Sequence, residues 1–200
     1  MLYAMQNFAR TAKTEIKAFF VDNKAVAVIE FALLLPFMAI LYLGSIEISF
    51  LIAIDRRVTA TSSTIGDLVA RADVIDLEDA ENIFKVSDSL FSPYDPTPAE
   101  VRVTSIVDDG GTAKVEWSQA QNTAPYPAGS SITVDAGVLP AGGSVIYAEV
   151  SYRYTQGFGY LLQNGSEIKD DFYLRPRKND KVLWIGPGGP NGSGGTDDDD

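Results

Sequence analysis

The chain has 200 residues, 46% hydrophobic and 22% charged, a composition that fits a folded protein and excludes global disorder. Its formal net charge of −11 leaves no basic face to neutralise phosphates, which excludes general nucleic-acid binding. Cysteine and histidine are both absent, and with them disulfide frameworks, thiolate zinc sites, cysteine nucleophiles and Ser-His-Asp triads.

Residues 1–25 form a short basic leader. Within it Phe8, Ala12, Ile16, Phe19 and Phe20 recur at helical spacing, with Lys13 and Lys17 on the other side. That pattern suits an amphipathic helix lying on a membrane surface, and equally a basic leader without fixed structure.

A dense apolar run follows, Lys24-AVAVIEFALLLPFMAILYLGSIEIS-Phe50, with no charge in the sixteen residues from Phe31 to Ile46. Adding Val26 to Ile29 gives roughly the 20 residues an α-helix needs to cross a hydrocarbon core of about 30 Å. A secretory signal would have a shorter apolar core and a small-x-small cleavage site; here the run extends to Ile54 with no such site after it. A transmembrane helix over 26–54 is therefore expected. The flank before it is slightly basic, and residues 55–200 carry the whole −11, which predicts a cytoplasmic N-terminus and a periplasmic remainder. Arg56 and Arg57, directly beyond the run, temper that asymmetry.

Residues 55–92 are expected to form a helical stalk in water. Val58, Ile65, Leu68, Val69 and Ala72 fall near one face of its first part, and Thr61 to Thr64 form a weak patch. In its second part, from Asp76, Leu77, Ala80, Ile83, Phe84 and Phe91 recur at three- and four-residue steps, until Pro93, Pro96 and Pro98 end helical structure.

Residues 99–185 alternate as strands of an antiparallel domain. Glu100 to Val107 and Ala113 to Trp117 flank Asp108-Asp-Gly-Gly111, a hairpin turn. Ser131 to Val134 is a short candidate, Val145 to Thr155 the strongest, and Phe172 to Leu174 and Lys181 to Ile185 complete the set. In the strongest, Ile146, Ala148, Val150, Tyr152 and Tyr154 line one face. Residues 186–200 form a glycine- and aspartate-rich tail, solvated and a poor calcium site. The fold class expected is α+β: a long N-terminal helix followed by a small antiparallel sheet.

Two carboxylates mark the apolar run, Glu30 inside it and Glu47 at its far end. A carboxylate at the bilayer centre costs about 2.5–3.5 kcal/mol on insertion scales and less near the surface, so Glu30 either snorkels to the headgroups or meets a cation. AVAVIEFALLLP followed by GSIEIS resembles the N-terminal signature of TadE-like proteins, minor pilins or pseudopilins of the tight-adherence (Tad) pilus. Ala27, Glu30, Phe31, Ala32, Leu33, Leu35, Pro36, Gly44 and Glu47 all match it. DLVARA and EVSYRY with YLRPR also look similar to members of that family.

The resemblance implies a pilin-like fold and cutting by a prepilin peptidase between Ala25 and Val26, although the family's usual residue before the cut is glycine. The new amine of Val26 would then be neutralised by Glu30 of a neighbouring chain, setting the register of packed helices. The resemblance also implies helix-packing roles for Phe31, Pro36, Gly44 and Glu47. Implied partners are other Tad components (pilins, prepilin peptidase and the inner-membrane platform) and the lipid bilayer, with no cofactor, metal or small-molecule substrate. A membrane-anchored periplasmic binding or scaffold module that never enters a pilus is the alternative. An enzyme is the third reading, resting on Ser166-Glu-Ile-Lys169, but the companion motifs of Ser-x-x-Lys enzymes are missing and a surface loop is expected there. The pairs Asp108/Asp109 and Asp170/Asp171 sit in turn-like contexts where solvated charge is the default.

Overall fold

The computed structural model describes residues 23–154 and 166–186, with side chains from residue 26. The amphipathic pattern of residues 3–21, Asn164-Gly165 and the tail beyond Gly186 lie outside the described residues. The chain divides into two compact units, residues 1–49 and 50–200.

One helix, α1 (Asn23–Ala70, 48 residues), carries the whole apolar run and continues past it. Pro36 stands inside it. Having no N–H, Pro36 cannot donate to the carbonyl four residues back, and α1 accommodates that single loss. At the C-terminus the orphan carbonyls are taken up locally and from afar. Ala72 N–H donates to Val69 O at 3.0 Å and Arg177 N–H donates to Ala70 O at 2.8 Å. Asp67 reinforces this end by pairing with Arg71 at 2.6 Å and with Arg177.

In the second unit α1 presents Ile54, Val58, Ile65 and Val69 to the core. Two details of the expected face differ. Leu68 is 40% exposed, while Thr61 and Ser62, from the weak patch, are fully buried. Ser62 Oγ satisfies itself on Thr59 O at 3.1 Å, whereas the buried Thr61 hydroxyl has no hydrogen-bond partner among the described residues. A long leucine belongs on the open side.

The expected stalk over 55–92 is interrupted. Between its two helical pieces lies β1 (Val74–Asp76), which pairs in parallel with β6 (Leu183–Ile185) and buries Ile75 beside Trp184. Lys181 to Ile185 is thus not a further strand of the antiparallel sheet; it closes a separate two-stranded parallel one. Asp76 then caps α2 (Leu77–Leu90): its Oδ1 accepts from Asp79 N–H at 2.8 Å and Asp79 reaches back to Asp76 N–H at 3.3 Å, a capping box. Ala80 is buried, whereas Leu77 stays 52% exposed.

The main sheet is antiparallel throughout, in the order β3-β2-β4-β5, with β2 (Ala99–Asp109), β3 (Thr112–Gln121), β4 (Ser144–Tyr154) and β5 (Ser166–Leu174). Asp109 faces Thr112 across a two-residue turn in which Gly110 and Gly111 take φ of 63° and 91°. Both values favour glycine, as the tightest hairpin turn demands. Ser131 to Val134 is not a strand; it contributes a single bridge from Ser131 to Lys114, because residues 122–143 otherwise run as loop. Along β4 the alternation holds, with Ile146, Ala148, Val150 and Tyr152 all buried.

The core joins these residues to Val101, Val103, Trp117, Phe91 and the α1 stripe. Trp117 stacks on Trp184 at 5.8 Å, and its Nε1–H donates to Val182 O at 2.8 Å. Phe91 stacks on Tyr152 at 5.2 Å, and Tyr152 Oη donates to Asp95 O at 2.9 Å. The described fold is α+β: a long apolar helix and a small antiparallel sheet.

Candidate functional site

Every described side chain from Val26 to Leu43 is exposed. Phe31 is 60%, Phe37 71% and Leu41 72% exposed. Soluble monomers rarely show apolar patches beyond a few hundred Å², so an unbroken helical surface of this kind suits a non-aqueous neighbour. The helix is long and apolar enough to span a membrane by length and composition.

Glu30 is the one charged side chain on that surface and is itself exposed. It lies four residues beyond Val26, about 6 Å along the axis. Gly44 follows Glu30 by fourteen residues, near a whole number of turns, so the two share a stripe. Ala25 belongs to α1, its side chain outside the described residues. Pro36 lies between the two ends of the run.

Glu47 is unlike Glu30. It is only 3% exposed, both carboxylate oxygens are buried, and neither has a hydrogen-bond partner among the described residues. Gly44, three residues earlier and on the same side, is buried as well. The two glutamates are not brought together: seventeen residues separate them along α1, about 25 Å. Sequence pattern alone distinguished them poorly, since both look like end markers of one apolar run.

The Ser-x-x-Lys reading fails on geometry. Ser166 and Lys169 lie on strand β5 and not in a loop, and residues three apart on a strand project to opposite faces. Lys169 instead pairs with Glu167 at 3.0 Å. Among the described residues no group of three or more carboxylates could hold a metal ion.

Two surface features lie on the sheet. A groove of about 730 Å³ is lined by Asp108, Lys114, Glu116, Gly142, Asp180 and Lys181, among others. Most of its charges are already engaged. Asp109 pairs with Lys114 and Lys181 with Glu116 at 2.6 Å; Asp108 accepts from Gly111 and Gly142 N–H at 2.9 and 2.7 Å. Lys114 holds the Asp109 carboxyl below the usual range, first by its hydrogen bond and then by its charge.

The second is an acid–tyrosine patch that sequence pattern did not disclose, because its members come from β2, β4, β5 and the 122–143 loop. Arg102 pairs with Glu149 at 3.1 Å and lies over the Tyr126 ring at 4.2 Å, while Tyr126 Oη donates to Glu149 at 3.1 Å. Beside them Tyr147 stacks on Tyr173 at 4.4 Å. Burial, then Glu149, push the Tyr147 phenol far above its ordinary range. Asp171, though exposed, is partly desolvated, which raises it as well, and Asp170 and Asp135 add to it. Asp170 and Asp171 are thus strand residues, not turn residues.

Compared with known proteins, the chain matches no family model, no curated protein and no solved structure.

Proposed function

We propose that the protein is a single-pass inner-membrane pseudopilin of the TadE-like kind, acting without catalysis in the assembly of a Tad-type adhesive pilus. The observation that carries this reading is the exposed apolar half of α1 with Glu30 on it. A carboxylate displayed on a lipid-facing helix is costly when alone and is relieved when a cation meets it in a medium of low dielectric.

The Val26 amine of a neighbouring chain, freed by cutting after Ala25, is that cation in this reading. Phe31, Gly44 and Glu47 serve helix packing, and Pro36 removes one backbone hydrogen bond where a neighbouring helix is met. The long helix leading into a small antiparallel sheet supports a pilin-like arrangement, with the sheet domain in the periplasm. The implied partners are other pilins, the prepilin peptidase, the inner-membrane platform and the bilayer.

A second reading keeps the anchor and drops the fibre: a periplasmic binding or scaffold module held by an uncut helix. It is favoured by Ala25, where the family carries glycine. Intact mass measurement of the membrane-extracted protein separates the two. Loss of residues 1–25 is expected for the pseudopilin, and a chain retaining them supports the anchored module.

A further inference from the structure

The face of the main sheet turned away from the core carries one cation-binding arrangement that the chain fills itself. The Arg102 guanidinium lies over the Tyr126 ring at 4.2 Å and pairs with Glu149 at 3.1 Å, stacking and charge acting together. The same components recur toward β5. Register sets Asp171 of β5 directly opposite Glu149 of β4, and two residues along the same face Tyr147 is opposite Tyr173, their rings stacked at 4.4 Å. Like charges facing each other across a ladder are unfavourable. Glu149 is relieved by Arg102 and Tyr126, but the charges that reach the Asp171 carboxylate are those of Asp170 and Asp135, both of its own sign. Lys169, two residues back on β5, is turned to Glu167 at 3.0 Å. Among the described residues, no cation pairs with Asp171.

Tyr147, Glu149, Asp170 and Asp171 line a cavity of about 260 Å³, with Arg102 and Lys169 also on its wall. That is below the roughly 300–1,000 Å³ of ordinary small-molecule sites and suits a single long side chain. Strand β5 is at one edge of the sheet, with no described strand beyond it, and Asp171 is exposed there. We propose that this patch binds an arginine side chain of a partner polypeptide, the guanidinium pairing with Asp171 beside the stacked Tyr147 and Tyr173 rings. A planar guanidinium lies flat on a phenol ring and gives paired donors to a carboxylate, which the compact ammonium of lysine does not. Arg102 on Tyr126 and Glu149 shows this face accepting that group. The converging negative charge of Asp135, Asp170 and Asp171 favours the approach of a basic segment. Opposed carboxylates that weaken the free chain are relieved on binding, so stability and binding trade against each other at Asp171. The contact does not depend on whether the leader is cut, and it holds for the pseudopilin and for the anchored module.

The test uses the full chain in an uncharged detergent and three short blocked peptides of one sequence, carrying arginine, lysine or citrulline at two alternate positions. Citrulline keeps the shape of arginine and loses its charge. Fluorescence anisotropy of the labelled peptides is expected to show arginine binding roughly fivefold tighter than lysine, and citrulline weakest. Equal affinity for the arginine and lysine peptides overturns the proposal.

Asp171→Asn is expected to weaken the arginine peptide roughly fivefold while the chain stays folded, and Tyr173→Phe, which keeps the ring, to bind as wild type does. Asp180→Asn removes one charge from the separate groove and is expected to leave the affinity unchanged. Equal losses in Asp171→Asn and Asp180→Asn would mean attraction to the overall charge of the chain, and would overturn the proposal. So would a dimer, seen by native mass spectrometry, that Asp171→Asn dissolves with peptide affinity unchanged, since the patch would then belong to a second copy.

Discussion

Gly66 of α1 lies against Leu174 of β5 so closely that a methyl group at 66 would stand 2.5 Å from Leu174 Cδ1 and 3.2 Å from Ala148 Cβ. This glycine sets how near the helix comes to the sheet. Gly66→Ala gains about 1 kcal/mol of helix propensity and loses about 1–3 kcal/mol to overpacking, for a net loss of roughly 0–2 kcal/mol. Gly66→Val is expected to lose more. Leu174 is the movable partner, so Gly66→Ala with Leu174→Ala should be more stable than the sum of the single changes predicts, by at least ~0.5 kcal/mol. Chemical denaturation of the detergent-solubilised chain measures this, and strict additivity would refute the contact.

Trp117 is expected to be the most sensitive single position in the sheet. Trp117→Phe keeps an aromatic ring beside Trp184 but leaves the buried Val182 carbonyl without its donor. The cost is about 1–3 kcal/mol for the unsatisfied group, before any loss of packing. Thermal unfolding followed by Trp184 fluorescence reads it. A midpoint equal to wild type would mean the hydrogen bond contributes nothing.

Asp76 holds two elements at once, as the last residue of β1 and the cap of α2. Asp76→Ala is expected to lose about 1 kcal/mol, whereas Asp76→Asn keeps an acceptor oxygen and should lose only a few tenths. Hydrogen exchange at the Asp79 amide distinguishes them, protected in the asparagine variant and faster in the alanine one. Equal exchange in both variants would argue against the capping box.

Asp171 makes a pH-dependent contribution of unfavourable sign. Asp171 is exposed on the sheet surface, and only partial desolvation, followed by the charges of Asp170 and Asp135, holds its folded pKa above the ordinary carboxylate value, so the effect is small. Above that raised value the charge opposes folding. As pH falls through it, the folded chain takes up the proton before the unfolded chain does, and the penalty disappears. Asp171→Asn is therefore expected to raise the unfolding midpoint at neutral pH, by an amount that shrinks as the solution is acidified below the carboxylate range. A gain that grows on acidification would contradict this.

Where local pattern and tertiary environment agree, the sequence was legible. Strand β4 alternates cleanly because one face meets the core, and the Gly110-Gly111 turn is dictated by backbone conformation alone. Strand β1 was not legible: three residues between two helical patterns become a strand only through β6, which lies far along the chain. Nor was the burial of Thr61 and Ser62, which depends on what packs against α1 in three dimensions. The same holds for the candidate site. Glu30 is conspicuous as a charge in an apolar run, but nothing local separates it from Glu47, whose burial depends on its surroundings in three dimensions.

The central claim is that the Glu30 carboxylate acts inside the membrane as an assembly group. It is tested by exchanging that residue alone, as Glu30→Ala, in the full chain and purifying the protein from membranes under conditions that would retain the proposed pilus partners. The account predicts that the variant inserts and its sheet domain folds as in wild type, while co-purification of the proposed pilus components is lost. Undiminished co-purification and piliation in the Glu30→Ala strain would contradict it.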